Sequence, residues 1–177
     1  MIRSVVFDVD GVLLDSLDIW NDLGERYIRK CGYIPVENMS QIISEMSMED
    51  SAKWMKNIYG MSQEPSVIVT ELEEMLKDFY SKEVKTEPGV LEVLAYLQKK
   101  GIPCSAATSG MKALTLAGFK RTGIDRYISE VITEEDAGKD KHHADIFHKA
   151  CSSLKIEVSE TLVVEDSLYA LKTAHKA

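Results

Sequence analysis

From Glu87 onward, short apolar or β-branched runs alternate with stretches of helical period, and this alternation restricts the fold more than any other feature. The segment "GVLEVLAYLQKKG" reads as a helix ending at Gly101, "IPCSAAT" as a strand, and Met111 to Arg121 as a second helix. "YISEVIT" then reads as a strand, "ADIFHKACSSL" as a helix, "TLVVED" as a strand and "SLYALKTAHKA" as the start of a last helix. Strands joined through helices lie parallel, and a parallel sheet is covered on both faces. The N-terminal run "IRSVVFDV" supplies one more buried strand. The expected class is α/β, with a parallel-sheet core assembled from residues 1–15 and 87–177.

Residues 16–86 interrupt that core with a different texture. Trp20, Leu23, Tyr27 and Ile28 share a helical face before Gly32. In "SMED", Ser47 can cap a helix with Asp50 in its first turn, and Ile68, Leu72, Met75, Leu76 and Phe79 mark the apolar side of another. No convincing strand falls between Ser16 and Thr86, so the expectation is an all-helical insert. A chain of 177 residues, 45% hydrophobic and 28% charged, has room for one sizeable core and a small second lobe.

A net charge of -8 disfavours nucleic acid or an anionic membrane as partner. Cys31, Cys104 and Cys151 are far apart and odd in number, which suits reduced thiols used for packing. Asp8 and Asp10 break the N-terminal apolar run, and no run elsewhere has transmembrane length. These features lead us to expect a soluble cytoplasmic protein, a monomer or weak dimer. The strand "TLVV" lies so near Ala177 that its outer edge would be unpaired. We therefore expect a further C-terminal strand and helix to be missing from the chain.

Ligands of parallel α/β sheets bind beyond the carboxyl ends of the strands. That rule gathers Asp8 and Asp10, Thr108 and Ser109, and Glu165 and Asp166 on one rim. In "FDVDGVLLDS", Asp8 and Asp10 are two residues apart, so both point to the same side of the strand end, and Gly11 permits the turn that follows. Like charges at this separation call for a cation, and hard oxygen donors suit magnesium. A calcium-binding loop does not fit, because Val12, Leu13 and Leu14 follow Gly11 directly. Taken alone, the aspartate pair also fits acids gathered at a strand end by chance, and Asp166 and Ser167 also fit a helix N-cap.

"FDVDGVLLDS" nevertheless resembles the first motif of the haloacid dehalogenase superfamily, in the phosphatase and phosphomutase branch with a helical cap inserted after the first strand. "SAATSG", "GKDKHHADIF" and "VVEDS" resemble its second, third and fourth motifs, in that order. The resemblance implies a Rossmann-like core under an all-helical cap. It also implies a phosphoryl-transfer site: Asp8 as nucleophile, Asp10 as general acid and base, and Thr108 and the Ser109 amide on the phosphate, the latter at a helix start. Lys141 would supply charge; it is preferred to Lys139 because its spacing to "DIF" is kept. Magnesium would be held by Asp8, the Asp10 backbone carbonyl and Asp166, with Glu165 acting through water. The chain departs from the family pattern at His142, His143 and Ala144, where a Pro-x-Pro sequence is usual, and at Ala170, where glycine is common. His142, His143 and His148 raise a second metal site as an alternative to a solvated helix start.

Asp10 argues against a dehalogenase, since that branch lacks an acid two residues after the nucleophile. In a β-phosphoglucomutase, a cap arginine grips the second phosphate and a histidine follows the first motif; here Met48 and Trp20 stand in those places. A thioether cannot bind phosphate as a guanidinium does. The expectation is a phosphatase for a small phosphorylated metabolite such as a sugar or polyol phosphate, with Trp20, Met46 and Met48 lining the cap side of the pocket or, equally, forming cap core. A mutase, a receiver-like domain and a silent phosphate-binding domain are the rival readings.

Overall fold

The computed structural model describes residues 1–177 and divides into two compact units, Met1–Ser16 with Tyr80–Ala177, and Leu17–Phe79. The larger unit holds strands β1 (Ser4–Phe7), β2 (Leu14–Asp15), β3 (Lys85–Thr86), β4 (Cys104–Thr108), β5 (Ile128–Thr133) and β6 (Thr161–Val164). Four of them form the expected parallel sheet in the order β5-β4-β1-β6. In register, Phe7 faces Ala106 on one side and Val164 on the other, so β1, β4 and β6 end at nearly the same level. Their following residues therefore emerge together, which places three of the four motifs on one rim.

Every residue of β1 is buried, as a central parallel strand requires. Below the sheet, Val6, Ala107 and Ile132 pack with Ile146, Phe147 and Ala150. Burying each larger side chain of that cluster contributes about 1.5–3 kcal/mol.

β2 and β3 were not foreseen. They pair antiparallel, Leu14 with Thr86 and Asp15 with Lys85. A two-residue strand carries no readable period, so the stretch before Thr86 looked purely helical. Residues 80–86 accordingly belong to the larger unit. Between Asp10 and β2 the chain reverses at Gly11, whose φ of 81° favours glycine, and the amides of Leu13 and Leu14 both donate to the Val9 carbonyl at 2.8 Å.

The smaller unit consists of α1 (Leu17–Lys30), α2 (Met39–Ile43), α3 (Met48–Tyr59) and α4 (Pro65–Asp78). Its core is the set of apolar faces read from the sequence, with Leu23, Tyr27, Ile28, Ile68, Leu72 and Leu76 buried. Trp20 sits at the edge of that face and is 37% exposed. The Ser47 hydroxyl accepts the Asp50 amide at 3.1 Å, and α3 stops at Gly60 in the left-handed region. A π-helical turn, Phe79–Glu83, carries the chain out of α4.

The helices of the larger unit are α5 (Val90–Lys99), α6 (Lys112–Thr122), α7 (Glu134–Ala137), α8 (Asp145–Leu154) and α9 (Leu168–Lys176). The short α7 is held by a reciprocal cap in which Thr133 and Asp136 exchange side-chain-to-backbone bonds. No helix is long and apolar enough to cross a membrane.

Candidate active site

The loops after β1, β4 and β6, with the segment leading into α8, enclose a pocket of about 140 Å³. Asp8 follows β1 directly, fixed by its amide donating to the Val164 carbonyl at 2.8 Å. Asp8 is 8% exposed, and its carboxylate accepts a bond from the ammonium of Lys141, a residue 2% exposed. Lys141 also donates to Glu165 Oε2 at 2.8 Å. Lys139 lies outside, paired with Asp145 at 3.3 Å, so the lysine in the pocket is the one that keeps its spacing to "DIF".

Asp166 completes the acidic side. Oxygens of Asp8, Glu165 and Asp166 lie within 4.8 Å of one another. Three carboxylates facing one ammonium leave negative charge in excess, and the proton affinities record it. Burial, aided by the Glu165 charge, pushes Asp8 up to about 7 despite the attraction of Lys141. Burial and Glu165 likewise raise Asp166. Burial works against the Lys141 proton, but Asp8 and Glu165 overcome it and hold the lysine charged above its ordinary value. A hard, oxygen-only donor set with surplus negative charge fits magnesium. His142, His143 and His148 form no comparable cluster: His142 stacks on Tyr169 at 4.3 Å, and His143 bonds Asp140 at 3.0 Å.

Thr108, at the end of β4, is almost wholly buried, and its Oγ1 accepts the Gly110 amide at 2.8 Å, leaving its own proton for another acceptor. Ser109 is not at the start of a helix, since α6 begins at Lys112. Its hydroxyl donates to Glu134 Oε1 at 2.7 Å, and the same oxygen accepts the Lys141 amide at 2.9 Å. One carboxylate therefore ties the loop after β4 to the loop that carries the lysine. Ser167, a possible helix cap by sequence, makes no capping bond for α9; its amide and hydroxyl both donate to Glu165 Oε1.

Asp10 stands beside this group. Its Oδ1 accepts bonds from the hydroxyls of Ser16, at 2.6 Å, and Tyr80. The structure thus brings Asp8, Asp10, Thr108, Ser109, Lys141, Glu165 and Asp166 to one pocket. Trp20, Met46 and Met48 belong to the smaller unit, where they line a separate cavity of about 660 Å³ whose wall carries no charged side chain. Sequence reasoning missed Tyr80 and Glu134. Ser16 stood inside the quoted motif, yet its partner there was not evident.

The profile of the haloacid dehalogenase-like hydrolases matches residues 5–177. A phosphorylated carbohydrates phosphatase of Thermotoga maritima is 22% identical, over 99% of this chain and 81% of its own length. Hexitol phosphatase A of Escherichia coli is 26% identical, over 93% of this chain and 74% of its own length. Among solved structures, a Thermotoga maritima protein provisionally assigned as a β-phosphoglucomutase superposes with a TM-score of 0.88 at 21% identity, covering 99% of this chain and 81% of that one.

Proposed function

The chain belongs to the haloacid dehalogenase-like hydrolases and is a phosphoric monoester hydrolase, and from that premise we propose that it hydrolyses the phosphate ester of a small sugar or polyol through an aspartyl-phosphate on Asp8. The observation that carries this reading is the buried Asp8 carboxylate beside Lys141, in a pocket whose other walls are Asp10, Thr108 and two further acids. A volume of about 140 Å³ suits a phosphoryl group rather than a whole metabolite. Names of relatives that act on phosphorylated carbohydrates and hexitols support the substrate class.

In the first step an Asp8 oxygen attacks phosphorus, the ester P–O bond breaks with its electron pair leaving on the alkoxide oxygen, and Asp10 gives that oxygen a proton. In the second, water attacks the same phosphorus, its proton passes to Asp10, and the P–O bond to Asp8 breaks to regenerate the carboxylate. Lys141 keeps a positive charge against both the Asp8 carboxylate and the entering phosphoryl oxygens, and Thr108 offers its hydroxyl proton to one of them. Ser109 meets the phosphate through its amide, because its hydroxyl is committed to Glu134. Asp8, Asp166 and the Asp10 backbone carbonyl would hold magnesium, which would neutralise phosphoryl charge. Glu165 holds Lys141 and would act on the cation through water.

Substrate choice is assigned to Trp20, Met46 and Met48. None of these side chains carries a charge that could hold a second phosphate, which sets the phosphatase reading above a mutase.

The test is release of inorganic phosphate from a panel of sugar, polyol and nucleotide monoesters, with magnesium and with chelator, beside Asp8→Asn. Magnesium-dependent release lost in the variant is the expected result. Release that persists in Asp8→Asn would remove the aspartyl-phosphate from the account.

A further inference from the structure

We propose that Tyr80 positions Asp10 for proton transfer, an inference that rests on the acid–base role given to Asp10 above. Asp10 Oδ1 accepts two hydroxyl donors, Ser16 at 2.6 Å and Tyr80. Two donors on one oxygen fix the plane of the carboxyl group and occupy that oxygen, which leaves Oδ2 as the one free to meet a reacting group. Oδ2 lies toward the phosphoryl pocket: a Cβ built on Gly110 would meet it at 3.1 Å and Thr108 Oγ1 at the same distance. The two donors thus decide which oxygen is turned to the pocket.

Tyr80 is the stiffer of the two. Ser16 divides its single hydroxyl proton between Asp10 and the Leu14 carbonyl, 3.2 Å away. Tyr80 is 1% exposed, and its ring packs so closely on α6 that a Cβ on Gly118 would come within 3.2 Å of it. The π-helical turn Phe79–Glu83 is a second, independent sign. Such turns are uncommon and recur at functional sites, where the wider winding re-aims a side chain that regular helix would place elsewhere.

Tyr80→Phe keeps the ring and removes only the donor. Its effect is read in two half-reactions. p-Nitrophenolate leaves phosphorus without needing a proton, so its first-turnover release tests formation of the aspartyl-phosphate alone. Hydrolysis of that intermediate still needs Asp10 as base.

The expected result for Tyr80→Phe with p-nitrophenyl phosphate is a first-turnover burst at the native rate and a steady-state kcat lower by about tenfold, a modest part of what an acid–base group contributes. With the best alkyl monoester of the panel both phases slow, while KM stays near native. In an Asp10→Ala background, adding Tyr80→Phe changes neither phase. A burst slowed in proportion to the steady state would show general loosening of the site and overturn the proposal. Unchanged kinetics on both substrates, or a further loss in the Asp10→Ala background, would overturn it as well. Failure of the underlying reading looks different: Asp8→Asn then retains turnover of both substrates, and the inference falls with it.

Discussion

Asp8 combines two demands that conflict in the absence of a cation. It is buried in the wall of the pocket, and the proposed mechanism needs it ionised. Burial wins far enough to raise its pKa from the ordinary 3.8 to about 7. A carboxyl whose folded pKa is raised binds more protons folded than unfolded across that window. Stability therefore falls as pH climbs from about 4 to about 7, and levels off above. We predict that decline in chelator by denaturant titration, that Asp8→Asn flattens it, and that excess magnesium reverses it above neutrality because only the ionised site binds the cation. A native protein equally stable at pH 5 and pH 8 in chelator would contradict this. At this scale the sequence was legible where residues announce themselves in motifs, as Asp8, Lys141 and Asp166 do. Tyr80 was not, because its partner Asp10 is 70 residues away and nothing local marks a tyrosine as a donor to a remote carboxylate.

Short elements carry much of the site's precision. α7 is four residues long, yet its reciprocal cap places Glu134, whose Oε1 holds both Ser109 and the Lys141 amide. Removing the cap hydroxyl should loosen that tie. Thr133→Ala is expected to cost about 1 kcal/mol of stability, read from the denaturation midpoint, and to raise KM severalfold with a smaller change in kcat. Unchanged KM would mean that Glu134 keeps its place without the cap. These elements also show where sequence reading stops. The sheet strands and long helices were legible because period and length agree, whereas β2, β3, α7 and the π turn are each too short to express a period. Their existence depends on hydrogen bonds closed by distant segments.

The molecule as a whole is a continuous helical unit set into a discontinuous sheet unit. Each has its own buried cluster, Tyr27, Ile28, Ile68 and Leu76 in one and Val6, Phe147 and Ala150 in the other. Two clusters within separate boundaries predict two families of amide protection, with β1 and β4 exchanging only through global opening and the α1–α4 amides through a lower-energy opening of their own. Hydrogen exchange that follows a single protection energy across both units would contradict this. The alternation after Glu87 made the sheet unit readable, and the helical texture before it marked the insert. What composition could not reveal is how far along the chain the partners of β1 lie.

That distance has a consequence during synthesis. β1 pairs with β6, and Ser4 stands opposite Thr161, 157 residues later. At about 5–20 residues per second, the first strand leaves the ribosome many seconds before its last neighbour exists. The helical unit, continuous in the chain, can consolidate in that interval, while Asp8 waits without the backbone that fixes it. The pocket around Asp8 is therefore incomplete until translation has passed Asp166, and the residue made almost first is among the last to be set in place.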